Sequence, residues 1–67
     1  MSNFSKRLRE LRMEKNLTQL QVAQIIQIPP TTYANWEQGR RLPGINEIVI
    51  LCKFFNVTAG YLIGTED

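Results

Sequence analysis

Four residues of the stretch TQLQVAQIIQIPPTTYANWEQG carry side chains suited to recognition at close range: Thr31, Ala34, Asn35 and Gln38. If the chain is helical from Pro30, these four share one side, and Thr31 and Asn35 stand one turn apart. A carboxamide on a short arm, as in Asn35, donates and accepts at once and matches the N6 and N7 edge of adenine; Ala34 is small enough to sit beside a thymine methyl. The other side of the same helix carries Tyr33, Trp36 and Glu37, and two aromatic rings there require a core. The chemistry is therefore hydrogen-bonded reading of a surface by a helix without bulk. A merely solvated polar face has the same composition and is the competing explanation.

Nothing in the chain points to catalysis. There is no histidine, the usual acid–base group near neutral pH, and the single cysteine, Cys52, has no partner base. The carboxylates are scattered, no glycine-rich phosphate loop appears, and no ligand cluster has metal-binding spacing, so neither an enzyme nor a cofactor nor a metal is expected. Cys52 lies in an apolar helical stretch and reads as a small buried hydrophobe, a free thiol that suits a reducing cytoplasm. No apolar run is long enough to span a membrane, and the N-terminus lacks a signal-peptide core. The net charge is only +2, but its distribution is uneven. Lys6, Arg7, Arg9, Arg12 and Lys15 fall in the first fifteen residues, and Arg40 and Arg41 follow the polar helix directly. A basic rim on either side of a polar face is an electrostatic footprint for a polyanion, against the blander reading of solvated charge.

The elements that hold these residues are helical. Sixty-seven residues make one domain with one core, and a lone cysteine supplies no disulfide to help it. Residues 3–15 form a first helix with Phe4, Leu8 and Leu11 inward and Asn16 as a left-handed stop. Thr18 caps a second helix, with Gln21 completing a capping box, Leu17 and Val22 forming a hydrophobic staple, and Val22, Ala23 and Ile26 facing the core. Gln27-Ile28-Pro29 breaks that helix, Pro30 starts the third, and Gly39 ends it. A fourth helix spans residues 45–55, with Ile45, Ile48, Leu51, Cys52 and Phe55 expected to face the core; Val49, Ile50 and Phe54 make it apolar on more than one side. Asn56 ends it, and Thr58 caps a short fifth helix closing near Gly64 with Leu62 inward.

Thr18-Gln19, Ala23, Ile28, Tyr33, Trp36-Glu37 and Gly39, followed by Pro43, resemble the helix-turn-helix of phage-repressor and Cro-like (Xre-like) regulators, over nearly the whole length from Phe4 to Gly64. The resemblance implies an all-α, lambda-repressor-like bundle of about five helices, with residues 30–38 as a recognition helix in the major groove of duplex DNA. It implies base-edge contacts from Thr31, Ala34 and Asn35, with Pro30 offering van der Waals contact alone. Gln19, Gln38, Arg40 and Arg41 would hold phosphates, helped by the free N–H groups at the starts of the second and third helices. It also implies an ion pair between Arg12 and Glu37. The function implied is that of a transcriptional repressor in the cytoplasm, associated with the nucleoid when bound. Two copies would meet on a pseudo-palindromic operator, as a homodimer formed on DNA if not before. Phe54, Ala59 and Tyr61 are the expected association surface, unless Phe54 and Tyr61 simply complete the core. The chain reads as a single domain over 1–67, compatible with being the N-terminal domain of a longer regulator. The alternative function is a protein-interaction module, an antitoxin or adaptor that keeps the fold; DNA binding weakens steeply with salt, and a greasy protein interface does not.

The chain departs from the family at several places. Gln27 replaces a glycine in the turn, where a left-handed backbone costs a side chain roughly 1–2 kcal/mol. Pro29 replaces a capping serine or threonine, a loss of roughly 1 kcal/mol. Pro30 replaces a polar contact residue. Leu20 and Ile25 put apolar side chains where polar ones are common.

Overall fold

Each helix of the computed structural model, which describes residues 2–66, is followed by a residue with left-handed backbone. Helix α1 (Ser2–Glu14) gives way to Asn16 at φ 59°, α2 (Gln19–Ile26) to Gln27 at φ 61°, and α3 (Pro30–Gln38) to Gly39 at φ 76°. Helix α4 (Ile45–Phe55) gives way to Asn56 at φ 57° and α5 (Ala59–Ile63) to Gly64 at φ 94°. Glycine and asparagine tolerate this region; glutamine does so only under constraint. At Gln27 the constraint is visible on both sides. The next amide, Ile28 N–H, donates to the Ala23 carbonyl at 2.9 Å, and the Ile28 side chain packs against the core. The turn is thus held from both ends while Gln27 itself stays exposed.

The helix starts follow from local chemistry as well. Gln21 N–H donates to Thr18 Oγ1 at 3.0 Å, and Thr18 N–H donates to Gln21 Oε1 at 2.8 Å, so the capping box is complete. Thr58 caps α5 by accepting from Tyr61 N–H at 3.0 Å. Pro29 gives α3 no side-chain cap, as its lack of an acceptor requires, and Pro30 occupies the first helical position.

Helix α1 packs on α3 and α5, α2 on α3 and α4, and α4 on α5. The shared core is Phe4, Leu8, Leu11, Val22, Ala23, Tyr33, Trp36, Leu51, Phe55 and Leu62. Leu17 packs against it, consistent with the staple to Val22. Tyr33 and Trp36 meet edge to face, with centroids 6.0 Å apart. The Trp36 carbonyl also accepts from Ser5 Oγ of α1 at 2.9 Å. One expected core residue is not in the core: Ile45 is 83% exposed. At 3.6 residues per turn it stands on the flank of the stripe that carries Ile48, Leu51 and Phe55, and it lies in the first turn of α4, at the end of that stripe. Cys52 is half-buried rather than buried, and its thiol is pushed above its ordinary pKa by burial.

The left-handed turn at Gln27 can be tested by its stability cost. Gln27→Gly removes the Cβ penalty of roughly 1–2 kcal/mol but adds unfolded-state freedom worth roughly 0.5–1 kcal/mol. The expected result is a thermal midpoint raised by a few degrees, read by circular dichroism; a lowered midpoint contradicts the assignment of strain to this residue.

Candidate nucleic-acid interface

The position of α3 is set by one carboxylate. Glu37 faces inward, its side chain only 2% exposed against 14% for that of Arg12. Arg12 Nε donates to Glu37 Oε2 at 2.7 Å and Arg12 Nη2 to Oε1 at 3.0 Å, a bidentate pair. A third Arg12 nitrogen, Nη1, donates to the Leu17 carbonyl at 2.9 Å, and Gln19 Nε2 donates to Glu37 Oε1 at 3.0 Å. Helices α1, α2 and α3 and the first loop therefore converge on one charge. Burial alone would raise the Glu37 pKa, but the hydrogen bonds from Arg12 and Gln19 outweigh it and hold the carboxyl below its ordinary value. Burial, and then the neighbouring Glu37 carboxylate, push the Tyr33 hydroxyl well above that of a free phenol.

With the aromatic side of α3 fixed inward, its other side faces out. Gln19, Pro30, Thr31, Ala34, Asn35, Gln38 and Arg40 line one shallow depression of about 410 Å³, together with Leu20. Thr31, Gln38 and Arg40 are exposed, and Ala34 and Asn35 are half-buried, so the floor is small and the edges are polar. Gly39 brings Arg40 here: the left-handed turn lets Arg40 N–H return to the Asn35 carbonyl at 3.0 Å. Seven of the eight residues expected to meet DNA thus share one surface.

Arg41 is the exception. It lines a separate depression of about 170 Å³ with Thr32, Trp36, Leu42, Pro43, Gly44 and Glu47, towards the start of α4. Gln19 is shared, because its amide is already held by Glu37. The basic residues of α1 also divide. Lys6 and Arg9 line a depression of about 400 Å³ with Ser5, Glu37, Gln38, Gly39 and Leu42, at the end of α3. Arg7 turns away, donating to the Tyr61 carbonyl and, at 2.7 Å, to the Glu66 carbonyl, with its guanidinium 4.5 Å from the Tyr61 ring centre. Lys15 lies over the Phe54 ring at 5.2 Å. The rim therefore rests on Lys6, Arg9 and Arg40, not on every basic residue nearby in sequence. Only the helical register of α1, with Lys6 and Arg9 three apart, distinguishes them beforehand. Phe54 and Tyr61 are half-buried against the core, whereas Ala59 is exposed.

Among the described residues no group of three or more His, Cys, Asp or Glu converges as a metal site, and no helix is long and apolar enough to cross a membrane.

The sign of the Glu37 shift predicts an acid-sensitive fold. A carboxyl whose pKa is lower folded than unfolded contributes stability above its unfolded value, near 4.5, and loses it as pH falls through the folded value. Unfolding free energy of the wild type should therefore drop below about pH 4.5. Glu37→Gln should cost about 3–5 kcal/mol at pH 7, as for a broken buried pair, and should flatten that acid limb. Parallel pH profiles for the two proteins would contradict the role given to Glu37.

The helix-turn-helix family model matches residues 8–62. The chain is 36% identical over 64 residues to the HTH-type transcriptional activator BcrR of Enterococcus faecalis, covering 96% of this chain and 31% of that protein. It is 33% identical over 64 residues to the cryptic phage CTXphi transcriptional repressor RstR of Vibrio cholerae, covering 96% of this chain and 58% of RstR. It is 37% identical over 60 residues to the HTH-type transcriptional regulator AnsR of Bacillus subtilis, covering 90% and 52% respectively. The chain thus spans from about a third to under three-fifths of these relatives' lengths. The five-helix fold, the buried Trp36-Glu37 pair and the match over residues 8–62 agree, and the chain belongs to the helix-turn-helix family, in its phage-repressor and Cro-like (Xre-like) branch.

Proposed function

We propose that this domain binds duplex DNA sequence-specifically, laying α3 in the major groove, and that it acts as a transcriptional repressor. The observation that carries this reading is the gathering of Thr31, Ala34, Asn35, Gln38 and Arg40 on one outward surface, opposite a buried aromatic side. A groove-reading helix must approach closely, and no bulky side chain obstructs this one. Asn35 reads adenine through its donor–acceptor pair, and Thr31, one turn earlier, reads the neighbouring position. Gln38, Arg40, Lys6 and Arg9 hold phosphates, with Arg41 reaching the flanking backbone and Gln19 using its remaining amide hydrogen. The uncapped first turn of α3 leaves backbone N–H groups for a phosphate.

The repressor role is supported by RstR, which is named a repressor; an activator role needs a contact with the transcription machinery in addition to operator binding. The site of action is the cytoplasm, on the nucleoid. One short helix reads few base pairs, so two copies bind a pseudo-palindrome. Ala59 and the outer parts of Phe54 and Tyr61 form the pairing surface, extended by exposed Ile50, one turn before Phe54 on α4.

Selection from a random duplex pool tests both the activity and the pairing: a two-fold pseudo-palindrome is expected, and a single half-site refutes pairing. On the selected duplex, Asn35→Ala should cost roughly 1–3 kcal/mol and relax discrimination at about one position per half-site. Arg40→Ala should weaken selected and scrambled duplexes alike and lower the salt slope by roughly one. If Asn35→Ala loses equally on both duplexes, Asn35 does not read sequence. If neither change matters, the interaction-module function takes its place.

A further inference from the structure

Leu20 is 51% exposed, and it lines the same depression as Pro30, Ala34, Asn35, Gln38 and Arg40. Its position is tightly held. The capping box fixes the first turn of α2 on one side of it, and Gln19, its neighbour, is tied to Glu37 at 3.0 Å. The depression is therefore divided: Asn35, Gln38 and Arg40 supply hydrogen bonds, while Leu20, Pro30 and Ala34 supply none. An apolar surface facing a base edge gains only from an apolar partner, since displaced water must leave both sides. In the major groove the base edges offer one such group, the 5-methyl of thymine.

We propose that Leu20, with Pro30 and Ala34, forms an apolar wall that recognises thymine methyl groups in the bound site. This rests on the DNA-binding function proposed above and adds a residue of α2 to the reading surface. Thymine is thereby selected by a contact that no hydrogen-bond donor or acceptor of the protein makes. Burying one methyl is worth about a fourfold change in affinity.

Uracil differs from thymine by that methyl alone and keeps every hydrogen-bonding group. The test compares a duplex recovered from a random pool by the wild-type domain with the same duplex carrying uracil for thymine. Both are bound to the wild type and to Leu20→Ala, whose folding is checked by circular dichroism. The wild type should bind the uracil duplex about fourfold more weakly per contacted thymine. Leu20→Ala should bind the thymine duplex more weakly by a similar factor and lose most of the distinction between the two. Equal binding of the wild type to both duplexes overturns the wall and leaves DNA binding standing. Undiminished thymine preference in Leu20→Ala removes Leu20 from it. Failure to recover any duplex from the pool overturns the underlying DNA-binding function together with the wall.

Discussion

The buried carboxylate of Glu37 is the constraint on which the rest of the structure depends. A charge taken out of water is costly unless it is paired and hydrogen-bonded, and here Arg12 from α1 and Gln19 from α2 both meet it. Such a pair is a poor source of net stability, since its desolvation offsets much of its attraction. Its effect is geometric. The placement of α1, α2 and α3 that satisfies all of these bonds turns the polar side of α3 outward. The Ser5 bond to the Trp36 carbonyl ties the same helix to α1 at a second point.

The same constraint explains how a short chain keeps a polar side of α3 exposed without collapsing onto it. The two aromatic rings of α3, Tyr33 and Trp36, are the largest fully buried side chains and lie on its inner side. The outer side is left with threonine, alanine and amides, whose loss to solvent costs little. Pro29 and Pro30 fix the entry to α3 by restricting backbone angles rather than by capping. The turn before them is strained at Gln27, and it persists because Ile28 is anchored in the core.

Local rules made much of this legible in the sequence. Helical spacing located Phe4, Leu8 and Leu11 and separated the two faces of α3. Capping chemistry placed the starts of α2 and α5. The pairing of Arg12 with Glu37 was different: no local pattern links residues twenty-five apart, and only the family resemblance pointed to it. Charge runs in the sequence give less than spatial grouping, for a related reason. Arg7 and Lys15 sit in the basic stretch, yet each is taken up by an aromatic ring contributed from far along the chain. Arg41 adjoins Arg40 in sequence, but the turn after Gly39 sends the two to different depressions. Ile45 shows the limit of periodicity itself, which gives the direction of a face and not where the core beneath it ends.

The most direct measurement of whether the outward side of α3 is the DNA-binding surface is an amide-resolved NMR titration of the domain with a selected duplex. The Asn35 and Gln38 carboxamides and the α3 backbone amides should shift in a saturable, salt-sensitive manner, together with the first turn of α2. Saturable binding that leaves the α3 and Asn35 signals unmoved would contradict it.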